Sequence, residues 1–243
     1  MTPSPAFEVD VSAVGEAKRS YVRGMFTAIA PRYDLLNHLL SFTVDRYWRR
    51  AAVRRLGWER KPDGVYLDLC SGTLDLAAAL ARAPGFRGTV IGADFVVPML
   101  ARGRGKAGRT RPVGADALAL PFPDGRFDGA MVAFGVRNLA DLDAGLRETH
   151  RVLRRGARFV VLEFSTPRFA PLRALYLFYF RRVLPAIGRA VSKHRDAYSY
   201  LPESVLEFPG PEALARRLAA AGFSGVRYEL LSGGICAVHH GAR

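Results

Sequence analysis

The sequence predicts an α/β fold: a seven-stranded, mostly parallel sheet finished by an antiparallel C-terminal hairpin. Three observations carry this prediction. From about residue 65 onward, short apolar runs alternate with segments of helical spacing. Several runs close on Asp, Gly or Ser, residues that favour turns. The last two runs are separated only by Ser232-Gly233-Gly234, too short for a crossover and right for a hairpin.

The elements follow in order. The first strand is 65–69, ending at Cys70-Ser71-Gly72, and the Ala/Leu-rich stretch 74–82 is a helix. Strand 89–93 closes on Asp94. Pro98 stands where a first helical turn accepts proline and opens a helix over 98–106. Strands 112–115 and 127–134 come next. Helix 141–153 places Leu142, Leu146, Val152 and Leu153 on its apolar positions, and Arg155-Gly156 reads as its stop. Strand 157–163, helix 211–221 closed by Gly222, and strands 226–231 and 235–239 complete the set. Strand–helix–strand units wind right-handed. Residues 1–61 read as a helical cap over the carboxyl edge of the sheet, and 62–243 as the domain proper with an insert at 165–209.

Composition bounds the function. A chain of 243 residues with 49% hydrophobic content can bury one large core. The net charge is +14, and 32 of the 36 basic residues are Arg. Such a surface favours an anionic partner: nucleic acid, an acidic membrane or a charged substrate. A merely solvated basic surface is the plain alternative. Two cysteines, Cys70 and Cys236, make neither a disulfide framework nor a zinc spacing, so a reducing compartment and no metal are expected. The start MTPSPAFEVD lacks the pattern of a signal peptide, and no apolar run reaches the ~18 residues of a membrane span. A cytoplasmic protein is expected.

Open α/β sheets bind ligands beyond the carboxyl ends of their strands. Here those ends carry acids: Asp68 on the first strand before Gly72, Asp94 after the second, and Asp116-Ala117 after the third. A glycine-rich G-x-G-x-x-G pyrophosphate loop is absent. An early carboxylate suits a cation, such as the ammonium and sulfonium of a methionine-type cofactor. Asp94 can take two ribose hydroxyls. Asp116 can accept from an adenine amino group while the Ala117 N–H reaches a ring nitrogen. Gly72 permits close backbone approach. Each acid alone also reads as a turn former or helix cap; three at successive strand ends make that reading weak.

With these residues in place, the chain resembles the ubiquinone/menaquinone biosynthesis C-methyltransferase family over roughly residues 20–241. The motifs are Met25-Phe26, Ala30-Pro31-Arg32-Tyr33-Asp34 with Asn37, the 68–75 loop, Phe134-Gly135-Val136-Arg137-Asn138, Glu163-Phe164-Ser165 and Tyr198-Ser199-Tyr200-Leu201-Pro202-Glu203-Ser204. Phe208-Pro209 and Gly233-Gly234-Ile235 with His239 also fit. One position departs: Leu74 stands where the family loop has glycine. The resemblance implies a Rossmann-like class I methyltransferase fold and S-adenosylmethionine as cofactor. It implies Asp68, Gly72, Thr73, Asp94, Asp116, Ala117 and Ala133 as cofactor-binding residues. The implied reaction moves a methyl group to a ring carbon of a polyprenylated hydroquinone, turning demethylmenaquinol into menaquinol; a ubiquinone precursor stays open as a second acceptor.

The resemblance also implies that Arg137 and Asn138 contact the quinol oxygen, and Tyr33 is a further candidate. Arginine is a poor base, with a pKa above ~12. Arg137 is therefore read as the cation that stabilises the phenolate, with water taking the proton. His150, His239 and His240 are read as structural. Residues 167–194 mix apolar and aromatic side chains with Arg168, Arg173, Arg181, Arg182, Arg189 and Lys193. They read either as a packed insert or as an interfacial element meeting anionic headgroups. Two other functional classes stand beside this one: an RNA or other small-molecule methyltransferase, and a non-catalytic scaffold should Leu74 plug the cofactor loop. No nucleic-acid module adjoins the domain. Oligomeric state stays open, a homodimer included.

Overall fold

The computed structural model describes residues 15–34, 41, 43–183 and 196–243. Asn37 of the family motif, and Arg189 and Lys193 of the basic insert, lie outside the described residues. Seven strands form one sheet in the order β3-β2-β1-β4-β5-β7-β6. They are β1 (Val65–Leu69), β2 (Thr89–Asp94), β3 (Thr110–Gly114), β4 (Phe127–Ala133), β5 (Leu153–Phe164), β6 (Ser224–Leu231) and β7 (Cys236–Ala242). The β1–β2, β1–β4, β2–β3 and β4–β5 pairs are parallel, and β7 runs antiparallel to both β5 and β6. The predicted fold class is therefore found, with the hairpin entering so that β6 forms the edge.

The central strands are apolar throughout because both faces are covered. On one face α2 (Asp45–Leu56) and α3 (Asp75–Ala81) bury Trp48, Leu56, Leu76 and Leu80 against Val160, Leu162 and Val238. On the other, α5 (Leu142–Val152) and α8 (Pro211–Ala220) bury Leu146, Leu214 and Leu218 against Leu67, Val132 and Phe159. Asp141 caps α5 by accepting from the Ala144 N–H at 2.9 Å. The N-terminal segment divides. Helix α1 (Glu16–Ile29) lies along the carboxyl edge, while α2 joins the face of the sheet. The α-helices α4 (Val97–Gly103), α6 (Ala170–Phe178) and α7 (Asp196–Glu207) lie between these in the chain, with a π-helical turn at Tyr179–Val183 continuing α6.

One expectation is corrected. Arg155-Gly156 is not a helix stop but lies inside β5. The chain passes from α5 straight into the strand at Leu153. Pairing with β4 then slips between Phe127 and Gly129, where Leu153 and Arg158 are the successive partners. Gly156, at φ 76°, supplies the left-handed residue this bulge uses.

Candidate active site

β1 neighbours both β2 and β4, so the chain winds outward in opposite directions from the β1/β4 junction. That switch point opens a crevice at the carboxyl ends. Three side-chain-bearing residues there hold left-handed backbone: Cys70 (φ 49°), Leu74 (φ 65°) and Phe134 (φ 59°). Such strain persists only where surrounding structure enforces it, and it gathers at functional sites. The two loops nearly touch, since a Cβ on Gly135 would stand 2.5 Å from the Cys70 Cβ.

Asp94 organises the first half of the crevice. Its two carboxylate oxygens accept separately from the Gly72 N–H and the Val96 N–H, each at 2.8 Å. The end of β2 is thereby tied to the loop after β1. Burial raises the Asp94 pKa against these amide donors. Asp68 is 1% exposed and accepts from the Ala77 N–H in the first turn of α3 at 2.8 Å. Burial pushes its carboxyl up to about 8. Asp116 accepts from the Leu118 N–H at 3.0 Å and pairs with Arg19 of α1 at 2.5 Å.

Asp94, Asp116 and Ala117 share one open cleft with Arg19, Cys70, Phe95 and Asn138, and Asp68 is not part of its lining. Gly72 touches it through Asp94. Thr73 turns away, its hydroxyl donating to Asp34 at 2.5 Å, and Ala133 packs into the core. Asp34 and Asp75 both take the Lys106 ammonium, at 2.6 Å each. The donor set of the cleft suits a nucleoside with hydroxyls and a cationic tail, because its carboxylates only accept and would repel a phosphate. Leu74 does not plug it: the side chain is fully buried in the core beneath α3.

Arg137 and Glu163 form the second half, at the ends of β4 and β5. The guanidinium is 8% exposed and the carboxylate side chain 2%, with Nη1 and Oε1 2.9 Å apart. Arg137 also donates to the Phe134 carbonyl at 2.5 Å and to Ser204 Oγ at 3.3 Å. Asn138 Oδ1 accepts from the Tyr200 hydroxyl at 3.0 Å, and Tyr33 packs edge-on to Phe26. An aromatic wall surrounds the pair. Phe134 and Phe164 stack at 4.5 Å, and Trp48 stands edge-on to both. Arg49 and Arg137 lie over the rings of Phe134 and Phe164. Glu163 belongs to the Glu163-Phe164-Ser165 motif, whose spacing alone assigns it no role. The signal was a lone acid in an apolar strand, which needs a partner once buried. His239 bonds the Pro211 carbonyl at 2.7 Å under α8, away from the crevice. Among the described residues no group of side chains could hold a metal ion.

The model of the ubiE/COQ5 methyltransferase family matches residues 13–243. The chain is 55% identical over 224 residues to the demethylmenaquinone methyltransferase of Thermus thermophilus, covering 90% of this chain and all of that protein. It is 48% identical to the demethylmenaquinone methyltransferase of Deinococcus radiodurans, covering 90% of each. It is 44% identical to a ubiquinone/menaquinone biosynthesis C-methyltransferase of Citrifermentans bemidjiense, covering 93% of this chain and 97% of that one. A solved S-adenosylmethionine-dependent methyltransferase from Thermotoga maritima shares the fold at TM-score 0.62 and 18% identity, covering 90% of this chain and 98% of that one.

Proposed function

Because the chain belongs to the ubiE/COQ5 methyltransferase family, we propose that it converts demethylmenaquinol into menaquinol as an S-adenosylmethionine-dependent C-methyltransferase. The observation that carries this reading is the cleft itself. Asp94 and Asp116, at the ends of β2 and β3, face one space, while Asp68 lies buried outside its lining, and Asn138, next in the chain to the buried Arg137, borders the same space. Asp94 would hold the ribose, Asp116 with Ala117 the adenine, and Asp68 with the Gly72 loop the methionine end. When bound, S-adenosylmethionine supplies an electrophilic methyl group. The chain's own part is to place a ring carbon in line with it, to exclude water and to favour the phenolate. The aromatic cluster of Phe134, Phe164 and Trp48 gives an apolar surrounding of the kind a naphthalene ring needs, and Arg137 supplies the fixed positive charge beside it.

A polyprenyl substrate lives in a bilayer, and α6 supports contact with one. Phe169, Leu175 and Phe178 expose 60–69% of their surface, beside exposed Arg168, Arg173, Arg181 and Arg182. The opposite side of the same segment buries Tyr176 and Phe180 toward Phe164. An apolar face rimmed by guanidinium groups matches an anionic membrane surface. Among the described residues no helix is long and apolar enough to cross a membrane.

The deciding experiment offers reduced demethylmenaquinone and total RNA side by side, with methyl-labelled cofactor. Label entering the quinol alone supports the reading; label in RNA, or in neither, rejects it.

A further inference from the structure

We infer that Glu163 is the proton acceptor for the hydroquinone hydroxyl, acting beside Arg137 at the ends of β5 and β4. The inference rests on the quinol reading above. Its ground is how unequally the carboxylate is used. Oε1 accepts from Arg137 Nη1 and from the Phe164 N–H, each at 2.9 Å. Oε2 is buried with no hydrogen-bond partner among the described residues. The Tyr176 hydroxyl, on the inner side of α6, is likewise buried and unpartnered. Leaving a charged oxygen without a donor is costly, and native proteins tolerate it where a ligand or a proton uses it.

The chemistry needs such a group. A guanidinium cation has no lone pair to take a proton, whereas a carboxylate beside it does. Burial raises the Glu163 pKa, while the Arg137 guanidinium and the backbone N–H groups of Phe164 and Arg137 oppose the rise; the net upward direction moves the acid toward the phenol it must deprotonate. The titratable groups acting on it are Arg137, Cys70 at the end of β1, Tyr176 from α6, Tyr200 from α7 and Cys236 from β7. Burial raises Cys70, Cys236, Tyr176 and Tyr200, so all four stay neutral, and Arg137 is the charge in direct contact with Glu163, with Lys18 of α1 on the Arg137 carbonyl and Glu207 of α7 acting on Tyr200.

The step balances. The quinol O–H bond breaks and its proton passes to Oε2, while Arg137 holds the resulting phenolate. The adjacent ring carbon forms its bond to the methyl carbon, and the methyl–sulfur bond breaks with its electron pair left on sulfur. The ring C–H proton then leaves to solvent and Glu163 returns its proton to the oxygen. One proton is released per turnover and Glu163 is restored.

The test uses the full chain with Glu163→Gln and Glu163→Asp. Glu163→Gln is expected to lower kcat roughly a hundredfold, with cofactor affinity kept within threefold by calorimetry. The acid limb of the kcat–pH profile disappears in that variant. Glu163→Asp keeps the limb at a reduced rate. A second readout needs no turnover: 1-naphthol bound beside the demethylated cofactor shows naphtholate absorption with the wild type and neutral naphthol with Glu163→Gln. Unchanged kcat, an unchanged acid limb, or naphtholate with Glu163→Gln overturns the inference. If Glu163→Gln does not fold, Glu163→Asp decides: wild-type kcat there overturns the assignment, and a lowered kcat with the limb retained upholds it. Wild-type protein that methylates no quinol refutes the parent reading instead.

Discussion

Leu74 and Gly103 are fitted to one another: a Cβ on Gly103 would stand 2.7 Å from the Leu74 Cγ. Gly92 of β2 leaves room for the same side chain from the other side, since a Cβ there would fall inside Leu74 Cδ2. Leu74 thus occupies a left-handed position, φ 65°, that would suit glycine, and the core beneath α3 accommodates it. Leu74→Ala leaves a cavity and is expected to cost about 3 kcal/mol. Leu74→Gly leaves a similar cavity but relieves the left-handed strain, recovering about 1 kcal/mol. Urea unfolding should therefore rank glycine above alanine here, the reverse of their order in a helix interior. Alanine ranking above glycine would mean that the strain is absent.

The same residue marks what the sequence could and could not tell. Strand runs such as 65–69 and 89–93 were legible because continuous apolar character requires burial on both faces. The Leu74 side chain was not legible, since its direction depends on Gly92 and Gly103, distant in sequence. The buried pairing of Arg137 with Glu163, 26 residues apart, follows from β4 and β5 being neighbours, a fact of topology. The bulge at Gly156 was hidden because Arg-Gly after a helix imitates a helix stop.

Asp94 should not tolerate its amide. Its two oxygens each face a different backbone donor, Gly72 and Val96. Asparagine can present only one oxygen, so its NH₂ must oppose one N–H in either orientation. Asp94→Asn is expected to lower stability by about 1–3 kcal/mol and to weaken cofactor binding at least tenfold. Chemical unfolding and calorimetry read the two effects separately. Unchanged values in both would show that neither hydrogen bond matters.

Cofactor affinity should depend on pH through Asp68, whose carboxyl burial lifts to about 8. A cationic ligand favours the carboxylate, so below pH 8 binding must expel a proton. Affinity then rises with pH, by at most tenfold per unit, and levels above 8. Asp68→Asn flattens the profile. Calorimetry in buffers of different ionisation enthalpy counts the proton; none released at pH 7 would place the ligand's charge elsewhere.

Stability should fall on mild acidification through His239. Burial lowers its pKa to about 4 from an ordinary 6.5, with Nε2 donating to the Pro211 carbonyl and Nδ1 buried without a partner. Above pH 6.5 both folded and unfolded states are neutral and the group contributes no slope. Between 6.5 and 4 the unfolded chain binds the proton and the folded one does not, costing about 3 kcal/mol over the interval. His239→Gln keeps a donor for Pro211 and should lose this component of the slope. Identical pH–stability curves for the two proteins would show that the imidazole is not responsible.

Membrane attachment, if α6 carries it, has a signature that separates apolar insertion from charge attraction. Phe169, Leu175 and Phe178 present the apolar face, and Arg168, Arg173, Arg181 and Arg182 surround it. Vesicles containing phosphatidylglycerol should sediment the protein, and pure phosphatidylcholine vesicles should not. Raising salt shortens the Debye length from about 8 Å at physiological ionic strength to about 3 Å at 1 M and so removes the electrostatic share. The triple change Phe169→Ser, Leu175→Ser, Phe178→Ser removes the apolar share while leaving every arginine in place. It should abolish sedimentation yet spare turnover of a short-chain, water-soluble quinol, because none of the three side chains faces the Arg137–Glu163 pair. Sedimentation retained by the triple variant would assign binding to bulk positive charge instead.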